Sequence, residues 1–278
     1  MNSHRIGTTM EINGRTRVIA LFAYPSTHVR TPSFFNPLCD QQGRNAVLVP
    51  WQVHPGQLSA AWDGLRHVES LAGVLVTIPH KTAAAGLCDR LDGVAKLLGV
   101  VNAARRLPNG QFVGRIFDGL GFLRGLEKAG HSIAGKRALL VGAGGAATSI
   151  AHALIEGGVG SLTIANRSPE KAVHLASLLQ REFPNRHIMA GNNDANGYEI
   201  VINGTSLGMK VDDPLPLPTD TLEPGTLVAE VVMQPDETVF LKCAAARGCV
   251  VHKGYHMVAG QTELLAAFLL DDTTDRAD

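Results

Sequence analysis

From Val18 to the end of the chain, short runs of β-branched and apolar residues alternate with stretches whose apolar residues recur at helical spacing. This alternation predicts an α/β chain with largely parallel sheets. Val18 to Phe22, Ala46 to Val49 and Val74 to Ile78 read as strands. Between the last two, Leu58, Ala61, Trp62, Leu65, Val68 and Leu71 mark the core-facing side of a helix. Pro37 falls inside the first helical stretch, where it would kink the helix. Asn109-Gly110, set between 103–107 and 111–113, predicts a two-residue hairpin turn and therefore an antiparallel pair. A helix follows from about Asp118 to Ala129.

A second unit begins at Lys136. Ala138-Leu139-Leu140-Val141 reads as a strand, Ala146 to Glu156 as a helix stopped by Gly157-Gly158, and Leu162 to Ala165 as the next strand, which together make one βαβ unit. Further strands are predicted at Ile200 to Ile202, Leu227 to Val232 and Cys249 to Val251. Met257, Gln261, Leu264, Leu265, Phe268 and Leu269 mark a last helix, expected to pack back on the first domain. Pro214, Pro216 and Pro218 predict an exposed loop, and the tail from Asp271 is expected to fray. The domain boundaries that follow are 1–117, with 254–278 packing back on it, and 118–253.

Gly142-Ala143-Gly144-Gly145-Ala146-Ala147 closes an apolar strand and opens a helix, the context in which a glycine-rich loop binds a dinucleotide. Gly142 allows the tight turn, Gly144 lets the backbone approach a pyrophosphate, and Ala147 allows close helix packing, with phosphate charge at the helix N-terminus. An NAD site usually carries a carboxylate at the end of the second strand, for the ribose 2′-hydroxyl. Here that position reads Asn166-Arg167-Ser168. Arg167 suits a 2′-phosphate, Ser168 can donate to it, and Lys171 adds a charge one helical turn later, so NADP is favoured over NAD. The other reading of Arg167 and Lys171 is a solvated helix start.

Composition narrows the partners. The 278 residues suffice for two domains. Lysine plus arginine equal aspartate plus glutamate at 25 each, with no run of like charge, so neither nucleic acid nor an anionic membrane surface is indicated. Cys39, Cys88, Cys243 and Cys249 have no metal-ligand spacing and read as reduced thiols; no metal is expected. Residues 1–17 hold no apolar leader core, and no run is long enough to span a membrane. A cytoplasmic protein with a small-molecule substrate is expected, as a monomer or homodimer.

Several ordered segments carry a resemblance that covers nearly the whole chain. They are Pro25 with His28 and Thr31-Pro32; Thr77-Ile78-Pro79-His80-Lys81; Val101-Asn102; Gly114 with Asp118-Gly119; the 142–147 loop; Asn166-Arg167-Ser168; the segment from Asn203 to Met209; and Gly254 with Met257 and Gln261. By these the chain resembles the shikimate/quinate dehydrogenase family. The resemblance implies an N-terminal α/β substrate domain, a Rossmann-type NADP domain, a C-terminal helix returning to the first, and an active site in the cleft between them. It implies that Lys81 and Asp118 are the catalytic pair, that Thr31, Thr77, Asn102 and Gln261 bind substrate, and that Thr205, Gly254 and Met257 join the cofactor site. The chemistry agrees: hydride leaves a secondary alcohol carbon as the hydroxyl proton is taken, which a lysine amine can do while a carboxylate holds the ammonium.

Four places depart from the family. Val29 replaces a carboxylate-binding serine, Leu75 an asparagine, Ile116-Phe117 an Asn-Thr pair, and Met233 a tyrosine. A site that loses hydrogen-bonding partners shifts its preference. Besides shikimate, the implied substrates therefore include less hydroxylated or differently substituted ring acids, and Thr31, standing in place of a second serine, leaves quinate open as well. His28, Arg30 and His80 either supply the missing donors or are simply packed or exposed. A catalytically silent NADP-binding sensor is the reading from another class.

Overall fold

The apolar runs become two six-stranded sheets in the computed structural model, which describes residues 11–271. The chain divides into two units. One runs to Arg115 and resumes at Thr262; the other runs from Ile116 to Gln261. Asp271, the first residue of the tail expected to fray, is held by Arg44 at 2.7 Å; the rest of that tail, and the first ten residues of the segment expected to hold no leader, lie outside the described residues.

In chain order the first unit contains β1 (Arg17–Ala23), α1 (Pro32–Gln41), β2 (Ala46–Gln52), α2 (Leu58–Leu65), β3 (Leu71–Val76), α3 (Lys81–Ala85), β4 (Arg90–Leu91), α4 (Val94–Leu98), β5 (Ala103–Arg106) and β6 (Phe112–Arg115). The sheet order is β2-β1-β3-β5-β6-β4. β1 pairs in parallel with β2 and β3, while β5 is antiparallel to both β3 and β6. Trp62 of α2 is fully buried between Phe112 and Phe22, with ring centres 4.9 and 6.4 Å away. β2 tolerates Pro50 because it is an edge strand, and the Asn36 side chain of α1 bonds both backbone groups of its Leu48. α1 runs through Pro37 without breaking.

Three local expectations are corrected. α2 stops at Leu65 because the chain turns there, Val68 N–H donating to the Leu65 carbonyl, so Leu71 belongs to β3. β3 ends at Val76, short of Ile78, because His80 N–H closes a turn on the Thr77 carbonyl. The β5–β6 hairpin has a three-residue loop. A two-residue turn would need residue 108 to donate a backbone hydrogen bond, which proline cannot. Leu107 N–H instead pairs with the Gln111 carbonyl, and Gly110 closes the turn at φ +82°.

The second unit contains α5 (Asp118–Lys128), β7 (Arg137–Val141), α6 (Gly145–Glu156), β8 (Ser161–Ala165), α7 (Pro169–Glu182), β9 (His187–Ala190), β10 (Ile200–Asn203), β11 (Leu227–Glu230), α8 (Val239–Ala246), β12 (Val250–His252) and the start of α9 (Tyr255–Leu270). Its sheet, β12-β11-β10-β7-β8-β9, is parallel at every pairing. Counted from β7 this is the 3-2-1-4-5-6 order of a dinucleotide-binding sheet, whose switch point lies between β7 and β10. The proline-rich loop is only partly exposed: Pro216 and Leu217 are buried, Leu217 in the core beside Leu222 and Phe240.

From Thr262 onward α9 belongs to the first unit. Leu269 lies where a side chain at Gly73 would stand, and the Arg105 and Arg115 guanidiniums sit 5.7 and 5.1 Å from the Phe268 ring centre. Among the described residues no helix is long and apolar enough to cross a membrane.

α5 packs closely through its glycines. A methyl group at Gly119 would collide with the Ser149 carbonyl of α6, and one at Gly121 would stand 2.5 Å from the Met257 carbonyl oxygen of α9. Gly121→Ala should therefore destabilise the protein by about 1–3 kcal/mol despite the better helix propensity of alanine. A fall in the thermal unfolding midpoint would show this; an unchanged or raised midpoint would refute the close packing.

Candidate active site

In the first unit the residues singled out gather at one edge of the sheet. β1 and β3 end there, and β5, being antiparallel to β3, starts there. The backbone ties these ends together: Thr77 N–H donates to the Phe22 carbonyl, Val76 N–H to that of Asn102, and Val101 N–H to that of Lys81. Thr77, Lys81 and Asn102 thus share one edge, with Lys81 half-buried at the start of α3 and Asn102 buried. Val29 and Thr31 lie in the loop that leaves β1 at the same edge. Thr31 stands at the start of α1, and its hydroxyl makes no capping bond.

His80 is not a spare donor. Its Nε2 lies 2.9 Å from the Val53 carbonyl oxygen, the residue is buried, and burial holds the imidazole below its ordinary value. It is a core histidine fixing the turn that precedes Lys81. His28 differs: both ring nitrogens are enclosed and lack a hydrogen-bond partner among the described residues. Arg30 is exposed.

In the second unit the tight α5–α9 packing brings Gln261 to Asp118. The Gln261 Nε2 donates to Asp118 Oδ1 at 3.4 Å, and both residues are buried. Sequence reasoning gave each a separate role and missed this bond, because 143 residues separate them. Leu75, Ile116 and Phe117, the apolar replacements, are all buried, while Met233 is half-buried. Gly254 stands so close to the Val232 carbonyl that no side chain fits there, and Met257 is buried one turn into α9.

The glycine-rich loop occupies the switch point of the second sheet. Gly142 has φ +124°, and its N–H donates to the Ala165 carbonyl of β8 at 2.7 Å. A methyl group on Gly142 would press on Gly204 and Thr205 at about 3 Å, and one on Gly204 would stand 2.9 Å from the Ala147 methyl group. Gly144, by contrast, faces open space ahead of α6, room for a ligand at a helix N-terminus. Ala143, Gly145 and Ala146 complete the turn and are partly exposed. At the end of β8, Asn166 donates to the Ser168 carbonyl, Ser168 begins α7 without a side-chain cap, and Arg167 and Lys171 are exposed. Polar and cationic groups with no carboxylate at the strand end suit a 2′-phosphate.

Thr205 is held firmly: its N–H and hydroxyl both donate to Asn203 Oδ1, at 3.1 and 2.6 Å, and its Oγ1 accepts from Leu207 N–H. Behind it lies a group that sequence reasoning missed, the Glu230 carboxyl at the end of β11. The residue is completely buried, and burial pushes the carboxyl up to about 7 against hydrogen bonds from Thr238 and Asn203. The signal was present as the one charge inside the apolar run from Leu227 to Val232. Also missed was a stack of imidazoles in which His252 lies 4.3 Å from His256 and 5.6 Å from His131, ring centre to ring centre. Burial, then these two neighbours, push His252 down to about 3.

Among the described residues no cluster of His, Cys, Asp and Glu could hold a metal, and all four cysteines are free. His80→Ala should cost about 1–3 kcal/mol by leaving the Val53 carbonyl without its partner. Denaturant unfolding measures this, and a loss well below that range would mean the histidine is dispensable to the turn.

Comparison with known proteins points one way. The family model described as the shikimate dehydrogenase substrate binding domain matches residues 21–104, and that described as shikimate / quinate 5-dehydrogenase matches residues 125–211. A shikimate dehydrogenase (NADP(+)) of Moorella thermoacetica is 39% identical over 94% of this chain and 90% of its own. A shikimate dehydrogenase solved in complex with NADP+ superposes with a TM-score of 0.84 at 30% identity, covering 94% of this chain and 92% of that one. Quinate dehydrogenase from Corynebacterium glutamicum, solved with NAD, gives a TM-score of 0.81 at 25% identity, covering 92% of this chain and 94% of that one.

Proposed function

The chain belongs to the shikimate/quinate dehydrogenase family, and from that premise we propose that it is an NADP-dependent oxidoreductase acting reversibly on a ring secondary alcohol of shikimate or a closely related cyclic hydroxy acid. The observation that carries the reading is the gathering of Thr77, Lys81 and Asn102 at one edge of the first sheet. In this reading residues 1–117 with 254–278 handle the substrate and residues 118–253 hold the cofactor. It works in the cytoplasm on small molecules, as a monomer or homodimer.

NADP, when bound, supplies or accepts the hydride. The residues that would hold it are Gly142 to Ala147 at the pyrophosphate, Asn166, Arg167, Ser168 and Lys171 at the 2′-phosphate, and Thr205, Gly254 and Met257 toward the other end. Support comes from the open space ahead of Gly144 and from the polar, cation-bearing end of β8. Lys81 takes the hydroxyl proton as the alcohol is oxidised and returns it in the reverse direction. Asp118 accepts a hydrogen bond from the neighbouring ring hydroxyl, and Gln261 fixes the carboxylate from behind while offering its remaining polar atoms to the substrate. Thr77 and Asn102 take ring hydroxyls, and Thr31 takes the carboxylate.

A second reading, a preference for a less hydroxylated ring acid, is favoured by the burial of Leu75, Ile116 and Phe117, none of which offers a side-chain hydrogen bond. With Val29 and Met233, they leave fewer partners for ring hydroxyls, and desolvating unmatched hydroxyls costs affinity.

NADPH formation with shikimate, with quinate and with a ring acid lacking one of the shikimate hydroxyls tests both readings. Shikimate should turn over with a KM in the ~1 μM–1 mM range. Lys81→Ala should lower kcat by about 10²–10⁴-fold, with a smaller change in KM. Turnover of the less hydroxylated acid in preference to shikimate and quinate would select the second reading. NADPH binding without oxidation of any ring alcohol would replace both with a sensor role.

A further inference from the structure

Helix α5, which opens on Asp118, begins without a cap of its own. The first N–H groups of a helix have no partner within it, and a polar side chain just before the helix usually accepts one of them. Here that residue is Phe117, whose side chain makes no capping hydrogen bond. The acceptor comes from another helix. Gly119 N–H donates to the Ser149 hydroxyl of α6 at 2.9 Å, across 30 residues of chain, and both residues are buried.

The contact is built into both helices. A methyl group at Gly119 would collide with the Ser149 carbonyl and stand 2.8 Å from the Ala153 methyl carbon, so only glycine lets α5 and α6 come this close. Ser149 lies inside α6, where alanine is the better helix former and a buried hydroxyl is costly unless it is hydrogen-bonded. Ala147, Ala151 and Ala153 fill neighbouring buried positions of the same helix. Serine at 149 is explained by the bond it accepts.

α6 is also the helix that the dinucleotide turn opens: Gly144 is its N-cap, and Ser149 stands one turn beyond Gly145. From α9, Gln261 Nε2 reaches Asp118 Oδ1 at 3.4 Å, and Gly260 has no room for a side chain beside the Gly121 carbonyl. The first turn of α5 is thus gripped twice, by the Ser149 hydroxyl from α6 and by the start of α9. Asp118 sits within that grip, next in sequence to the N–H that Ser149 holds.

We infer that Ser149 is a positioning residue for Asp118: by capping α5 from α6, it fixes where the Asp118 carboxylate stands relative to the dinucleotide turn. This rests on the reading above in which Asp118 accepts a hydrogen bond from a ring hydroxyl, and it names the group that holds the backbone beside that carboxylate. Without the hydroxyl, Gly119 N–H would be buried with no acceptor, and the first turn of α5 would shift or unwind to find one. The dinucleotide turn has hydrogen bonds of its own, from Gly142 N–H to the Ala165 carbonyl and from Thr148 N–H to the Gly144 carbonyl, and these do not involve the Ser149 side chain.

The test is steady-state NADPH formation with shikimate by the full-length protein, alongside direct NADPH binding followed by nicotinamide fluorescence. Ser149→Ala should lower kcat/KM for shikimate by roughly ten- to a hundredfold, the scale of a small misplacement at a reacting centre. Its affinity for NADPH should be unchanged. Asp118→Asn should be impaired by itself, and adding Ser149→Ala to it should cost little more, because two residues that act as a unit are not additive. Ser149→Cys keeps the shape but offers only a weak acceptor; it should fall in the same direction, and it serves if the alanine variant does not fold. Wild-type kcat/KM in the Ser149 variants, a loss shared equally by NADPH binding, or Ser149 and Asp118 losses that multiply independently would overturn the assignment while leaving the reading of Asp118 intact. An Asp118→Asn protein with wild-type turnover would remove that reading, and the role of Ser149 with it.

Discussion

Parallel strand pairing is the constraint on which this structure depends. A strand that runs parallel to its neighbour must be followed by a crossover, so every such strand ends at the same edge of its sheet. In the second unit all five pairings are parallel, and the glycine-rich turn, the Asn166–Ser168 segment, Asn203 and Glu230 all stand where strands end. In the first unit β1 and β3 obey the same rule, and antiparallel β5 contributes its starting residue, Asn102, to the same edge. The chemistry is concentrated because the topology leaves polar loops there and buries apolar runs elsewhere.

Close approach between backbones is the second requirement, and it is met by leaving out side chains. Gly142 and Gly204 let two strand ends meet with only the Ala147 methyl group between helix and loop. In α5, Gly119, Gly121 and Gly125 serve two helices, α6 and the start of α9. Glycine in a helix costs roughly 0.5–1 kcal/mol relative to alanine, so three of them weaken α5 by about 1.5–3 kcal/mol as an isolated helix. The loss is offset by burying Phe122 and Leu126 and by bringing Gln261 within reach of Asp118. A better helix would carry a worse site.

Much of this was legible along the chain. The β-branched runs found β1, β2, β7, β8 and β10, and the strand-glycine-helix context found the dinucleotide turn. The absence of a carboxylate after β8 favoured NADP. Local pattern failed where a distant partner or a missing donor decided the outcome. Leu71 continued the helical spacing of α2 yet pairs with Val18 in β3. Pro108 enlarged a hairpin loop that Asn109-Gly110 alone would have made shorter. Strand β9, four residues at the sheet edge with only Ile188 buried and Met189 exposed, was too short to be read. The Asp118–Gln261 bond and the fastening of Thr205 to Asn203 are side-chain geometry, which periodicity does not encode.

The two units secure their polar residues differently, and this bears on how each tolerates change. In the first unit Thr77, Lys81 and Asn102 are placed by backbone hydrogen bonds to the Phe22 carbonyl and from the Val101 and Val76 N–H groups, respectively, and the one deeply buried imidazole among them, His80, is satisfied by a backbone carbonyl. A side chain there can be exchanged without moving its neighbours, which is how Val29, Leu75 and the other apolar replacements can coexist with an intact Thr77–Lys81 segment. In the second unit the loop carrying Thr205 hangs on the Asn203 side chain, while Glu230 is enclosed with one oxygen held by Thr238 and the other without a hydrogen bond among the described residues. An unmatched buried polar atom costs about 1–3 kcal/mol, and an apolar residue of similar volume would avoid that cost. Standing at the end of a strand that is otherwise apolar from Leu227 to Ala229, Glu230 uses its matched oxygen to hold Thr238, the residue that caps α8.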